Sequence, residues 1–82
     1  MRVVIATEGV SVRHELVRTL VADDLLILMG DAVLCVDPPP DVPIARSLVD
    51  MHLRGLCGSR DALLDDAEIV RHIRASRQTT VL

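Results

Sequence analysis

The chain has 82 residues and a formal net charge of −3, and half of its residues are hydrophobic although Phe, Tyr and Trp are absent. This length predicts a single domain over residues 1–82, because neither half could bury a core alone. No apolar run approaches the ~20 residues that cross a bilayer, and the slight acidic excess argues against direct binding to nucleic acid, so we expect a cytoplasmic protein without a membrane partner.

The first 29 residues predict a β-α-β unit. The β-branched run "RVVIA" (2–6) is typical of a buried strand, and "DLLILM" (24–29) of a strand covered on both faces. Between them, Ser11 can cap a helix. The apolar face of this helix would hold Val12, Leu16 and Leu20, with Val17 and Val21 beside them. A β-α-β connection places its two strands parallel in one sheet.

The segment after residue 29 has two interpretations. Gly30-Asp31 lies between the apolar runs "LLILM" and "AVLCV", which favours a hairpin of two strands. A short helix over 31–36 is the alternative, and periodicity does not separate the two at this length. The following "DPPPDVP" (37–43) is expected to be an exposed loop, because four prolines exclude regular hydrogen bonding.

The second half of the chain continues the alternation of strands and helices. "IARSL" (44–48) predicts a strand, and "VDMHLR" then predicts a helical turn that stops at Gly55. "DALLD" (61–65) predicts a fourth strand. The pattern is that of a small three-layer α/β domain with a mainly parallel sheet of four or five strands.

The last segment predicts a helix followed by a β-branched tail. Asp65 or Asp66 caps the helix "AEIVRHIRAS", which would turn inward Ile69, Val70 and Ile73. The closing "TTVL" is either a fifth strand or a tail that docks on a partner. A domain this small with so much apolar content is expected to bury part of its apolar surface against other subunits. We therefore expect an oligomer.

Three segments together resemble a known family. They are "ADDLLILMGDAVLCVD" (22–37), "VDMHLRGL" (49–56) and "LLDDAEIVRHI" (63–73). In this order and spacing the chain resembles the DsrH/TusB family, the smallest branch of the DsrE/DsrF/DsrH-like sulfur-relay proteins. The resemblance covers nearly the whole chain and implies a compact α/β/α sandwich with a short helix after Gly30.

The resemblance also implies partners. The chain would join cysteine-bearing DsrE/TusD-like and DsrF/TusC-like subunits in a hetero-oligomer of the DsrEFH or TusBCD kind. Such an assembly passes persulfide sulfur along, toward 2-thiolation of the tRNA wobble uridine in the Tus case and within sulfur oxidation in the Dsr case.

Cys57 in "HLRGLCGSR", with a glycine on either side, is the one residue whose side chain suggests covalent chemistry. Arg54 and Arg60 nearby would favour a reactive thiolate. Cys57 nevertheless precedes the fourth strand, whereas chemistry in such sheets gathers beyond the strands' carboxyl ends. We therefore expect Cys57 and Cys35 to be structural, and His52 to be an ordinary surface or interface residue without an enforced geometry toward Cys57.

The loops at the carboxyl ends of the predicted strands form a candidate pocket or interface. Its residues are Thr7, Glu8, Gly30, Asp31, Ser47, Asp65 and Asp66. None of them is a thiol, and no motif predicts a cofactor or a metal site. In the cysteine-bearing relatives the sulfur carrier lies shortly before an Arg-Gly pair, after the third strand; the matching "RSLVD" (46–50) holds Ser47.

The resemblance therefore implies a non-carrier subunit without a catalytic residue of its own. Two alternatives remain open. One is a sulfurtransferase-like carrier that uses Cys57 or Cys35, and the other is a stand-alone homo-oligomer that binds a small anion at the strand carboxyl ends.

Overall fold

Five parallel strands form one sheet in the computed structural model, which describes residues 1–82. The strands are β1 (Arg2–Ala6), β2 (Leu25–Leu28), β3 (Ile44–Ser47), β4 (Ala62–Leu64) and β5 (Gln78–Val81). Their order across the sheet is β4-β3-β2-β1-β5, and every pairing is parallel. The predicted α/β class with a parallel sheet is confirmed.

Helices cover both faces of this sheet. They are α1 (Glu15–Arg18), α2 (Leu48–Leu53) and α3 (Asp66–Ala75), with two 3-10 helices at Gly9–Arg13 and Gly30–Leu34. Because side chains of a strand alternate between faces, Leu26 and Leu28 of β2 pack with Met51 of α2, while Ile27 packs with Ile69 of α3. The α2 face and the α3 face therefore each carry an apolar core. No helix is both long enough and apolar enough to cross a membrane.

The single helix predicted from Ser11 onward is wrong, because the chain breaks at His14. The 3-10 helix ends at Arg13, His14 is extended (φ −60°, ψ 145°), and its Nδ1 accepts a hydrogen bond from Leu16 N at 3.1 Å. Five residues of continuous α-helix would point Val12 and Val17 about 140° apart. The break turns both into the core, and Val21, expected beside them, is 61% exposed.

The segment after β2 is a short helix, so the hairpin interpretation is wrong. Both neighbours of β2 are parallel to it, and a hairpin would have made one of them antiparallel. Gly30 begins the 3-10 helix with φ +53°, and Asp31 N donates to Thr7 O at 3.1 Å. This contact draws the chain over the end of β1 and starts the connection toward β3.

Gly30→Ala is expected to destabilise the protein more than Gly55→Ala. Both glycines have positive φ, which alone makes Ala unfavourable by about 1–2 kcal/mol. A Cβ on Gly30 would lie 3.0 Å from Thr7 O, whereas a Cβ on Gly55 meets nothing within 4 Å. We expect the Gly30 variant to lose at least about 1 kcal/mol more in urea unfolding followed by circular dichroism. Equal losses would show that the close approach to Thr7 has no energetic weight.

The C-terminal segment completes the protein's own sheet. β5 pairs with β1 in the register Val4↔Thr80, and Leu82 N donates to Ile5 O at 2.8 Å. The strand alternative for "TTVL" is therefore confirmed. In α3, Asp65 is the capping residue and Ile69 is buried, but Val70 is 45% exposed rather than inward because the single helix presents only a narrow face to the sheet.

A partly buried ion pair ties β1 to the residue before β2. Asp24 accepts hydrogen bonds from Val21 N (2.9 Å), from Arg2 N (2.9 Å) and from the Arg2 guanidinium (2.8 Å to Nη2). The Val21 N–H, and then the Arg2 guanidinium and N–H, hold the pKa of Asp24 well below its ordinary value.

The stability of the protein is therefore expected to fall in acid through Asp24. Because its folded-state pKa lies below the unfolded value, this carboxylate stabilises the fold above about pH 4, and its contribution is lost as the pH falls further. Thermal unfolding by circular dichroism should show a steeper acid decline of Tm for the wild type than for Asp24→Asn. Asp23→Asn, at an exposed neighbour, should keep the wild-type slope. Parallel curves for Asp24→Asn and the wild type would contradict this account.

Candidate functional site

The carboxyl edge of the sheet holds a connected set of hydrogen bonds. Ser47 is 1% exposed, and its Oγ accepts from Asp50 N at 3.2 Å, which caps α2. Asp50 Oδ2 in turn accepts from Gly30 N at 2.8 Å. Arg54, the residue that follows α2, donates a hydrogen bond from Nη2 to Asp31 Oδ1 at 2.9 Å. Of the predicted edge residues, Gly30, Asp31 and Ser47 are thus brought together, through Asp50 and Arg54.

The other predicted edge residues have separate surroundings. Thr7 joins the same set through its carbonyl, and its Oγ1 donates to Leu82 O at 3.3 Å. Glu8 is exposed, and its side chain makes no hydrogen bond. Asp65 accepts from Glu68 N at 2.8 Å within its own helix, and Asp66 is exposed at the start of α3. No hydrogen bond links these last three to the rest of the edge.

No cavity opens at this edge. None of the seven predicted residues lines either of the two cavities of the protein. The space is filled by the close approach of Gly30 to Thr7 and by the hydrogen bonds around Asp50. A binding site or interface at this edge stays a prediction.

The larger cavity, of about 530 Å³, lies instead on the α2 face beside β3. One wall is the segment 33–38, which comprises the end of the second 3-10 helix and the residues after it, and the other wall is the α2–β4 connection at 56–61. Cys35 and Cys57 both line it, with Arg46 and Arg60. The two thiols, 22 positions apart in the sequence, thus share one cavity.

Arg46 of β3 organises this cavity. It is 8% exposed, and its Nε donates to Asp61 Oδ2 at 2.9 Å. Its Nη1 donates to Val33 O at 2.9 Å and to Cys35 O at 2.7 Å, so one side chain connects both walls. The sequence carried a signal for it: a lone charge inside the apolar strand "IARSL" requires partners, because burying an unpaired charge is costly.

The two thiols differ in exposure. Cys35 is half-buried against the core, as expected of a packing residue, and its Sγ lies 4.0 Å from Asp37 Oδ1. Cys57 lies before β4 as predicted, but it is exposed and lines the cavity, so its side chain does not pack. The two are free thiols, and His52 is exposed and makes no side-chain hydrogen bond.

The electrostatics of the cavity are mixed. Asp61 is paired with Arg46, and Asp37 is paired with Arg13 at 3.1 Å, whereas Arg60 has no ion-pair partner. The protein contains no group of three or more His, Cys, Asp or Glu side chains that could hold a metal ion. Comparison of the chain with family models, with curated proteins and with solved structures finds no match.

Proposed function

We propose that this chain is a non-carrier subunit of a sulfur-relay hetero-oligomer, similar to the DsrEFH and TusBCD complexes. The observation that carries the proposal is Ser47. In the relatives that the sequence resembles, the carrier thiol lies after the third strand, shortly before an Arg-Gly pair. Here that position, ahead of Arg54-Gly55, holds a buried hydroxyl that caps α2. A hydroxyl cannot form a persulfide, so the sulfur would be carried by partner subunits.

Exposed apolar side chains on the α2 face support an assembly role. Leu53 is 74% exposed, and further large apolar side chains are exposed on the adjoining helices and connections of the same layer. They are Val10, Leu34, Val36, Leu48, Val49 and Leu56. Apolar surface of this kind is typical of a protein–protein contact site. We propose this layer as the surface that binds the cysteine-bearing DsrE/TusD-like and DsrF/TusC-like subunits.

The sulfur would serve 2-thiolation of the tRNA wobble uridine. A net charge of −3 gives this chain no electrostatic attraction to RNA, so contact with the tRNA would belong to another subunit. The chain would hold the assembly together and contribute no catalytic group of its own.

Isolation of the tagged chain from its native host tests this proposal. We expect two cysteine-bearing α/β proteins of similar size to copurify, and the 2-thiouridine content of tRNA to fall when the chain is absent. Leu53→Asp should release the partners without unfolding the chain, whereas Val70→Asp, on the exposed side of α3, should retain them. A chain that elutes alone as a monomer, with unchanged tRNA thiolation in its absence, would contradict the proposal.

The second candidate function is a sulfur carrier that uses Cys57. The observation in its favour is that this exposed thiol lines a cavity together with Arg46 and Arg60, since neighbouring cations suit a reactive thiolate. Cys57→Ser separates the two candidates. A carrier would lose tRNA thiolation with this substitution, while a non-carrier subunit would keep it.

A further inference from the structure

The buried arginine of the larger cavity has hydrogen-bonding capacity left over. Nε and Nη1 of Arg46 are occupied by Asp61 and by two carbonyl groups, but Nη2 makes no hydrogen bond within the protein. No fully buried side-chain nitrogen lacks a partner, so Nη2 reaches open space. The Arg46 side chain is only 10% exposed and it lines the cavity, so we assign the open space at Nη2 to the cavity. A rigidly anchored guanidinium edge therefore faces the cavity.

The charges around the cavity favour one negative charge on a ligand. The carboxylates of Asp37 and Asp61 are each already paired with an arginine. Arg60 is exposed on the cavity wall without an ion-pair partner. Arg60 supplies one uncompensated positive charge to the wall of the cavity that Arg46 also lines. An arginine binds a carboxylate or sulfonate through charge-assisted hydrogen bonds.

The cavity also has an apolar part. Half of the 14 residues that line the cavity are hydrophobic, among them Val33, Met51 and Leu56. A volume of about 530 Å³ exceeds that of a bare inorganic ion and falls in the range of small-molecule sites, which are apolar with a few fixed polar groups.

We infer that this cavity binds a small organic monoanion. The acidic head contacts Arg46 Nη2 and Arg60, and the apolar body lies on the aliphatic wall next to Cys35 and Cys57. The cavity shares Leu34, Val36 and Leu56 with the proposed subunit-binding surface, but the binding of a small anion in it requires neither Ser47 nor a partner chain.

Titration calorimetry with octanoate and 1-octanol as probes tests the site. Octanoate should bind with a Kd on the order of 1 mM or tighter, and 1-octanol, which lacks the charge, about tenfold more weakly. Arg60→Gln should weaken octanoate binding about tenfold and leave 1-octanol binding unchanged. Arg77→Gln, an exposed arginine after α3, is the matched control and should bind both probes like the wild type.

Protection of the thiols locates the bound probe. Octanoate at ten times its Kd should slow alkylation of Cys57 by iodoacetamide about tenfold, because Cys57 lines the same cavity. The inference is overturned if octanoate does not bind, if it binds no better than 1-octanol, if Arg60→Gln behaves like Arg77→Gln, or if Cys57 stays unprotected. Any of these results would leave the sulfur-relay proposal intact, since copurification of partners does not depend on a ligand in the cavity.

Discussion

Replacing Leu26 with Ala is expected to lower the free energy of unfolding by about 3–5 kcal/mol. Leu26 lies in the middle of the central strand β2, has no exposed surface, and belongs to the core of the α2 face. A chain without aromatic residues has no aromatic side chain that could shift into the space left behind. For a domain of this size the loss is a large part of the total stability, which is about 4–12 kcal/mol at typical values per residue.

The Leu26→Ala effect is measurable by urea unfolding followed by circular dichroism, since a protein without Trp or Tyr offers no intrinsic fluorescence signal. Leu53→Ala is the matched control, because the same change at a largely exposed position should stay within about 0.5 kcal/mol of the wild type. Similar losses for the two variants would mean that Leu26 does not lie in a core on the α2 face of the sheet, contrary to our description.

Arg46→Met is expected to be the other strongly destabilising substitution, with a loss of about 2–4 kcal/mol. It leaves the carboxylate of Asp61 unpaired and removes the hydrogen-bond donor from two carbonyl groups, those of Val33 and Cys35. Breaking a largely buried pair is costly because the remaining charge is not fully solvated. The two walls of the larger cavity would also lose the side chain that connects them.

An exposed ion pair of equal length provides the control for Arg46→Met. Arg54 and Asp31 lie 2.9 Å apart, the same N···O distance as in the pair of Arg46 with Asp61, but Asp31 is largely exposed. Arg54→Met should therefore cost about 1 kcal/mol or less, because water screens such a pair. If both variants lose the same free energy of unfolding in urea, burial does not explain the destabilisation by Arg46→Met.

Four of the five strands could be predicted from the sequence because each is a short, largely apolar run. The fifth could not, because the local pattern of "TTVL" fits both a strand and a tail docked on a partner. The local pattern could not predict the break at His14, since the residues around it also fit one continuous amphipathic helix. The break at His14 forms because Val12 and Val17 must both be buried against the sheet. The choice between hairpin and helix after Gly30 likewise depends on strand pairing, which is a property of the whole sheet.

The candidate sites show the same division between local and long-range information. The cap of Ser47 on α2 follows from neighbouring residues, and the sequence places Ser47 correctly after β3. The larger cavity depends on two chain crossings that bring Cys35 and Cys57 to opposite walls around Arg46, and no local pattern encodes that meeting. The sequence therefore predicted the position of the carboxyl edge of the sheet. It did not predict that the larger cavity lies on the α2 face beside β3.

The central claim, that this chain belongs to a sulfur relay without carrying sulfur, is tested most directly by intact-mass measurement of the isolated complex after loading with a persulfide donor. We expect a mass increase of about 32 Da, one sulfur atom, on a cysteine-bearing partner and no increase on this chain. A persulfide on Cys57 of this chain that is then transferred to a partner would contradict the claim and identify the chain as a carrier.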